Sequence, residues 1–275
     1  MARGMARYDW ITFLSDYGLD DNFVGVCRGV MAGIAPHVRV IDVSHAVAPQ
    51  DVRQGAIVLA QSVPFMPPAV HLAVVDPAVG TPRGAVVVEA GASLLVGPDN
   101  GLLAWAADEL GGAKRVHEIA SPEHRLHHVS KTFHGRDVFA PAAAHLAAGV
   151  DPAALGPELD PEGLERLTPP RSRVDDDHIH GEVVLVDHFG NVALNVSRAE
   201  LESVGALLGD RVQVRLGGQT WRMPFAETFA SVPAGRMVLH EDSFRLLTVA
   251  VNQGRAADRL RARTGDPVVV SRVVD

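Results

Sequence analysis

Apolar and polar positions along the first 168 residues follow two periods, and their order predicts strands alternating with helices. Short apolar runs, typical of buried strands, occupy 10–16, 38–44, 69–76, 85–90 and 93–101. Helical spacing is found at 21–36, 52–66, 102–112 and 137–149, with Asp137 as the expected N-cap of the last segment. Strands that alternate with helices of this length indicate an α/β domain with a largely parallel sheet.

The pattern changes after about residue 168. The stretch "TPPRSRVDDD" is rich in proline and charge, which is typical of a linker. Short alternating runs follow, separated by turns rich in glycine and asparagine, and only 199–208 and 255–263 have helical spacing. We therefore predict an α/β domain at 1–168, a linker at 169–178 and a smaller all-β, barrel-like domain at 179–275.

Composition narrows the class of protein. The formal net charge is −8, and the sequence has no basic stripe of the kind that binds nucleic acid. The single cysteine, Cys27, excludes an intramolecular disulfide and a cysteine zinc cage, and its apolar surroundings predict a buried structural thiol. The opening residues lack a signal-peptide core, and no run reaches 18 apolar residues. We expect a soluble cytoplasmic protein that binds neither nucleic acid nor membrane.

Three polar clusters fall at the ends of predicted strands in the first domain. They contain Asp16 in "LSDYG", Asp76 and Arg83 in "VVDPAVGTPRG", and His134 in "KTFHGRD". Ligands of α/β sheets gather at the carboxyl ends of the strands, so these side chains are candidates for one site. Taken singly, they fit a helix cap, a turn acid, a rim charge and a loop histidine equally well. The valine runs at 74–90 predict a hairpin around the polar insert.

A group of histidines raises the question of a metal. Glu123, His124, His127 and His128 lie in "SPEHRLHHVS", but no HExxH pattern is present, so we expect a solvated loop and no metal. The sequence also lacks GxGxxG, GxxxxGK[ST] and GxSxG motifs at the expected places. Their absence argues against dinucleotide-binding, P-loop and α/β-hydrolase chemistry.

The second domain contains a tight turn with mixed chemistry. Asp187, Phe189 and Asn191 in "VLVDHFGNVALN" combine an acid, a ring and an amide. An ordinary hairpin turn would explain them, and so would a purine site with a stacking ring. Ser243, Phe244 and Asn252 in "DSFRLLTVAVNQG" form a second candidate edge.

Six motifs in order over nearly the whole chain carry a family resemblance. They are "ITFLSDYGLDDNFVGVCRGV", "VDPAVGTPR", "GPDNGLL", "TFHGRDVFAPAAAHLA", "DHFGN" and "LTVAVNQGRAADRL". The sequence resembles the S-adenosyl-L-methionine (SAM) hydroxide adenosyltransferases, or SAM hydrolases, which are relatives of the fluorinase and chlorinase. The resemblance implies an α/β N-terminal domain, a barrel-like C-terminal domain and no cofactor. It also implies a homotrimer whose sites lie between the N-terminal domain of one subunit and the C-terminal domain of its neighbour.

The resemblance also assigns roles to individual residues. Asp76, Arg83 and His134 match the set that handles water in the hydrolase branch. The implied substrate contacts are Asp16 on the ribose hydroxyls, Asp187 near the methionine amine, Phe189 and Asn191 beside the adenosyl group, Ser243 at the methionine end, and Asn252 near adenine. Ser243 and Asn252 stand in less distinctive surroundings than the others.

The function implied is hydrolysis of SAM to adenosine and L-methionine by attack of water or hydroxide at the ribose 5′ carbon. The sulfonium is already a good leaving group, so the site must supply an activated nucleophile rather than a general acid. Either Asp76 or His134 accepts the proton. One alternative is a halide-using adenosyltransferase, which would form a chloride-dependent product. The other is a non-catalytic adenosine- or SAM-binding protein, which would not need the trio of Asp76, Arg83 and His134.

Overall fold

The computed structural model describes residues 8–273, and the chain divides after Leu167 into two compact units. The strands of the first unit are β1 (Trp10–Ser15), β2 (Arg39–Ser44), β3 (Val70–Val74), β4 (Ala85–Ala90), β5 (Ser93–Pro98), β6 (Ala113–Glu118) and β7 (Glu158–Leu159). Its α-helices are α1 (Phe23–Ile34), α2 (Val52–Ser62), α3 (Ala104–Glu109) and α4 (Ala140–Ala147). Short 3-10 turns occupy Val63–Phe65, Pro122–His124, Pro152–Ala154 and Pro161–Gly163.

One seven-stranded sheet organises the first unit, in the order β2-β1-β3-β5-β4-β6-β7. The pairings from β2 to β5 are parallel, and those from β5 to β7 are antiparallel. The predicted α/β class is therefore confirmed, with the parallel part confined to one half of the sheet. This half positions the candidate site, because its strands end at one edge.

The predicted hairpin between the valine runs of β3 and β4 is wrong. Strand β5 lies between them, parallel to β3 and antiparallel to β4. Every residue of β5 is buried, which suits a central position in the sheet. The actual hairpin joins β4 to β5 through Gly91, whose positive φ closes the turn. The insert after Asp76 is thus a connection that passes over the end of the sheet.

Both faces of this sheet are apolar, so alternate residues of each strand enter different cores. Phe13 and Leu72 pack on one face with α1 and α4, whereas Leu14 and Ala73 pack on the other face with α2 and α3. Cys27 lies fully buried in the first of these cores, and burial raises the pKa of its thiol to about 12. The expectation of an inert structural cysteine is confirmed.

The predicted N-cap role of Asp137 is wrong. A π-helical turn, Gly135–Phe139, runs directly into α4 and starts two residues before Asp137. The Asp137 side chain is fully buried and accepts hydrogen bonds from the backbone N–H of Ser130 at 2.8 Å and from Arg136 Nε at 2.6 Å. It ties the segment before His134 to the start of the helix.

The second unit is built from antiparallel strands. They are β8 (Arg173–Asp175), β9 (His178–Val186), β10 (Val192–Leu194), β11 (Arg211–Leu216), β12 (Gln219–Pro224), β13 (Met237–Glu241), β14 (Leu247–Val251) and β15 (Pro267–Arg272). The strand order is β12-β11-β15-β9-β10-β14-β13, and β8 also pairs with β9. The N–H of Ala226, just after β12, donates to the carbonyl of Leu239 on β13 at 3.0 Å, which brings the two edges together. The predicted all-β, barrel-like unit is confirmed.

Two local features of this unit differ from the sequence patterns. The stretch predicted as a linker contains β8, because Val174 pairs with Ile179 of β9 and extends the sheet. The two predicted helices are shorter than their patterns, namely α5 (Arg198–Ser203) and α6 (Ala256–Leu260), and a 3-10 turn occupies Phe229–Ser231. A capping box between Ser197 and Glu200 begins α5. Among the described residues, no helix is long and apolar enough to span a membrane.

Candidate active site

A cavity of about 340 Å³ opens in the first unit at the carboxyl ends of β1 and β3. Asp16 follows β1 and Asp76 follows β3, so the parallel pairing of these strands brings both acids to the same edge. His134 lines the same cavity, but its predicted place at a strand end is wrong, because it stands immediately before the π-helical turn. Three of the predicted site residues therefore share one cavity wall.

Arg83 joins Asp76 to His134. Its Nε donates to both carboxylate oxygens of Asp76, at 3.0 and 3.1 Å, and its Nη2 also contacts Asp76 Oδ2. The same Nη2 donates to His134 Nδ1 at 2.9 Å. The side chains of Arg83 and Asp76 are only 9% and 6% exposed, so their attraction is little screened by water. The Arg83 guanidinium also lies over the ring of Phe139, 5.0 Å from its centroid, and this cation–π contact helps to hold the guanidinium in place.

The hydrogen bond to Arg83 determines which nitrogen of His134 carries a proton. A guanidinium can only donate, so Nδ1 must accept and the neutral ring carries its proton on Nε2. Burial lowers the pKa of His134, and the positive charge of Arg83 lowers it further. His134 is therefore neutral near pH 7, and its Nε2–H makes no hydrogen bond within the described residues.

Gly80 allows the loop that carries Asp76 and Arg83 to approach the loop that carries His134. It has a φ of +79°, and a Cβ at this position would lie 2.3 Å from the backbone oxygen of Lys131. Any side chain would push the loop carrying Asp76 and Arg83 away from the loop carrying His134. The close packing of these two loops explains why the insert between the valine runs is long and rich in glycine and proline.

Asp16 lines the same cavity and is held there by a backbone contact. Its Oδ2 accepts the backbone N–H of Gln50 at 2.8 Å. Gln50 adopts a left-handed conformation, with a φ of 67°, and this presents its N–H to the acid. Asp16 is thus held at the cavity by a loop of another strand rather than serving as the cap of α1, whose N-cap residue is Asn22.

Sequence reasoning missed the aromatic wall of this cavity. The ring centroids of Tyr17, Phe23 and Phe133 lie 5.1 to 5.8 Å apart. Burial is the largest factor that raises the pKa of Tyr17 well above its ordinary value, so the phenol keeps its proton. The Tyr17 hydroxyl lies over Gly135, where a Cβ would be 2.0 Å away. The only sequence signal was that Tyr17 and Phe133 each adjoin a candidate residue.

The second unit has a separate groove of about 560 Å³, which we call the aromatic groove. It is lined by His188, Phe189, Asn191, Phe229, Val251, Gln253, Gly254 and Arg255. Phe189 is 73% exposed and Phe229 is 50% exposed, which is unusual for phenylalanine. Sequence reasoning missed Phe229, which no motif marked, and Arg255, which lies within "LTVAVNQGRAADRL" but was not singled out.

The remaining predicted residues of this unit support turns. Asp187 holds the Asn191 side-chain N–H at 2.8 Å and the Asn191 backbone N–H at 2.8 Å, so it orients Asn191 without lining the groove. Asn252 donates from its side chain to the carbonyl of Val232 at 2.7 Å. Ser243 is exposed in the turn between β13 and β14 and lines neither cavity.

The histidine cluster at 124–128 forms no ligand set. His124 packs against His145, with ring centroids 5.1 Å apart, and His127 packs against His128. Within residues 8–273, no group of three or more histidine, cysteine, aspartate or glutamate side chains has the geometry of a metal site.

A cavity at the ends of parallel strands, with a linked carboxylate, guanidinium and imidazole beside it, is typical of an α/β enzyme that acts on a small molecule. Residues 11–156 match the model of the SAM hydroxide adenosyltransferase N-terminal domain, and residues 181–269 match that of the C-terminal domain. The chain belongs to the SAM hydroxide adenosyltransferase family. The resemblance of its six motifs to this family is thereby confirmed.

Individual relatives are similar over the full length. A protein of Salinispora arenicola named (R)-S-adenosyl-L-methionine hydrolase is 51% identical, covering 97% of this chain and 99% of its own. A fluorinase of Actinopolyspora mzabensis is 29% identical over 95% of this chain and 97% of its own. The crystal structure of an uncharacterized conserved protein from Thermotoga maritima superposes with a TM-score of 0.89 at 37% identity, covering 95% of this chain and all of that one. The hydrolase is therefore the nearer relative of the two named enzymes.

Proposed function

We propose that the protein hydrolyses (R)-S-adenosyl-L-methionine to adenosine and L-methionine. The observation that carries this proposal is the hydrogen-bonded chain Asp76–Arg83–His134, two of whose members line the cavity. Binding adenosine alone would need stacking and hydrogen bonds but no desolvated pair of charges next to a neutral imidazole. The strong similarity to proteins named as hydrolases supports the same choice over halide transfer.

The reaction balances without a cofactor or metal. A lone pair of water forms the bond to the ribose 5′ carbon, and the C5′–S electron pair moves to sulfur, giving the neutral thioether of methionine. The water loses one proton, which balances the positive charge lost from the sulfonium. The protein must therefore orient a water molecule, remove its proton and exclude bulk solvent.

Asp76 is the proton acceptor in this proposal. The Nδ1 lone pair of His134 is occupied by Arg83, whereas a carboxylate has about four acceptor sites, of which Arg83 fills only some. His134 then donates its Nε2–H to the attacking oxygen and orients it. Arg83 stabilises the developing negative charge on that oxygen, and Asp76 keeps the site close to neutral next to a cationic substrate.

Some of the proposed substrate contacts line the cavity or the aromatic groove, and the others lie outside both. Asp16 accepts the ribose hydroxyls in the cavity of the first unit, and Phe189 and Asn191 flank the adenosyl group. Asp187 lies toward the methionine amine, with Ser243 at the methionine end and Asn252 toward adenine.

We further propose a homotrimer in which the aromatic groove of a neighbouring subunit completes each cavity, since exposed phenylalanines favour such burial. Light scattering of the purified protein tests the trimer.

A product assay in ¹⁸O-labelled water tests the function. We expect adenosine carrying the label in its 5′-hydroxyl, unlabelled methionine, and an unchanged rate after treatment with a chelator. Intact substrate after long incubation would refute the enzymatic proposal, and 5′-chloro-5′-deoxyadenosine formed with chloride would favour halide transfer. Cell fractionation with recovery outside the cytoplasm would refute the cytoplasmic location that we propose with it.

Two conservative variants test the proton acceptor. Asp76→Asn removes the base, whereas His134→Gln keeps an N–H donor in the site. We expect Asp76→Asn to lower kcat more than His134→Gln does. The reverse order would make His134 the acceptor, and the roles stated above would be wrong.

A further inference from the structure

The second unit has another cavity, of about 370 Å³, that shares no lining residue with the aromatic groove. Four of its lining residues are arginines, and we call it the arginine cavity. Arg211 begins β11, Arg222 lies on β12, Arg236 precedes β13, and Arg259 lies on α6. Four positive charges thus converge from four elements of a chain whose net charge is −8.

None of these four arginines forms a direct ion pair with a carboxylate in the described part of the chain. Nine other arginines pair directly with an acid, at positions 28, 83, 115, 136, 166, 173, 198, 255 and 272. The acids next to the cavity arginines in sequence are also turned elsewhere. Asp210 lies 3.5 Å from Arg272, and Asp258 lies 3.3 Å from Arg255. Other arginines, among them Arg215 and Arg245, also lack an ion pair among the described residues, so what distinguishes the four is that they line one cavity.

The backbone around the arginine cavity is held in place without a ligand. The N–H of Gly235 donates to the carbonyl of Asn252 at 2.7 Å, and the N–H of Asn252 donates to the carbonyl of Arg236 at 3.0 Å. Arg259 Nη1 donates to the carbonyl of Gly235 at 2.8 Å. The Asn252 side chain anchors Val232 in the same loop. Such preorganisation lowers the entropic cost of binding a ligand.

We propose that the arginine cavity binds the diphosphate or triphosphate group of a small phosphorylated molecule. The planar guanidinium group suits phosphate oxygens, which it binds through two parallel hydrogen bonds. A single phosphate would leave part of the positive charge uncompensated, whereas two or three linked phosphoryl groups match four guanidinium groups in charge. The small size of the cavity and the acidic balance of the chain argue against a nucleic-acid strand.

Calorimetric titration of the full-length protein tests this proposal with pyrophosphate, tripolyphosphate, ATP and orthophosphate. We expect saturable binding of the first three, weaker binding of orthophosphate, and loss of affinity as salt is added. Equal affinity for tripolyphosphate and ATP would identify the phosphate chain as the recognised group, and tighter binding of ATP would identify a nucleotide. Absence of saturable binding at millimolar pyrophosphate and tripolyphosphate would overturn the proposal, as would equal affinity for orthophosphate.

Matched variants locate the binding. Arg211→Gln combined with Arg222→Gln should weaken pyrophosphate binding about tenfold or more, because each lost guanidinium removes charge-assisted hydrogen bonds. Arg215→Gln is the control, since it makes the same change on β11 at a residue that does not line the cavity. Equal loss in the control would mean nonspecific binding and overturn the proposal.

If the double variant unfolds, Arg236→Gln alone replaces it. A changed oligomeric state with unchanged pyrophosphate binding would show that a partner subunit covers these arginines, which would also overturn it.

Discussion

The cavity of the first unit and the aromatic groove of the second unit use polar side chains in opposite ways. At the cavity, Arg83 bonds to both Asp76 and His134, and the Asp76–Arg83 pair is shielded from water, so a change in one alters the charge or orientation of the others. In the groove, Asp187 supports a turn while Phe189 stands largely in solvent. The comparison separates a coupled set that we propose to be catalytic from a surface that we propose to bind mainly by shape and stacking.

The largest effect should come from Arg83→Ala, which breaks the coupled set. Asp76 would remain buried without its partner, and His134 would lose the bond that orients its ring. We expect kcat to fall about 10²–10⁴-fold, with much less change in adenosine affinity. Steady-state kinetics and adenosine titration measure the two effects, with Arg115→Ala on the exposed part of β6 as the control. Equal losses in both would show that Arg83 binds substrate rather than activates water.

A smaller loss is expected from Gly80→Ala, which alters no side chain of the set. The new Cβ would meet the Lys131 carbonyl and separate the two loops. We expect kcat to fall about tenfold or more, since small misplacements of catalytic groups are costly. Gly112→Ala is the matched control, because Gly112 also has a positive φ but has no atom within 4 Å of the new Cβ. Equal activity of the two variants would mean that loop contact does not position the trio.

In the aromatic groove, Phe189→Ala should change binding more than turnover. We expect KM to rise about tenfold through lost stacking, with kcat changed less and thermal stability unchanged because the ring is largely exposed. Phe244→Ala, another exposed phenylalanine outside the groove, is the control. A fall in kcat as large as that of Arg83→Ala would remove the distinction between the two regions.

The two units should also differ in their response to acid. Burial lowers the pKa of His71 to about 4, and burial together with Arg28 lowers that of His45 to about 4. Both histidines lie in the first unit. As the pH falls below about 6.5, they take up protons in the unfolded state before they do so in the folded state, and this favours unfolding. We therefore expect the first unit to lose stability between about pH 6.5 and pH 4, with no further loss from these groups below that range. Hydrogen exchange of peptides from β3 and β11 measures each unit, and His71→Gln should reduce the slope for β3. A slope for β3 unaffected by His71→Gln would contradict the assignment.

Hydrophobic periodicity predicted the α/β and all-β classes because burial on alternate faces leaves a local trace in each strand. It did not predict that β5 lies between β3 and β4, since the order of the strands in a sheet depends on pairings between segments that are distant in the chain. Asp16 and Asp76 were identifiable because strand ends and motif order mark them, and His134 because its motif does. Phe229, Arg211, Arg222 and Arg236 lie outside every motif, and Tyr17 and Arg259 lie inside motifs that gave no reason to single them out. These six residues are recognised only by their neighbours in the structure.

The sequence by itself determined the class of each unit, the burial of Cys27, the family and the identities of the trio, because these depend on local patterns and residue types. The tertiary structure decided that Arg83 links Asp76 to His134, that Gly80 lets their loops touch, and that the His134 proton lies on Nε2. These are matters of distance and hydrogen-bond direction between residues up to 51 positions apart in the chain. Such contacts form only when the whole sheet is assembled.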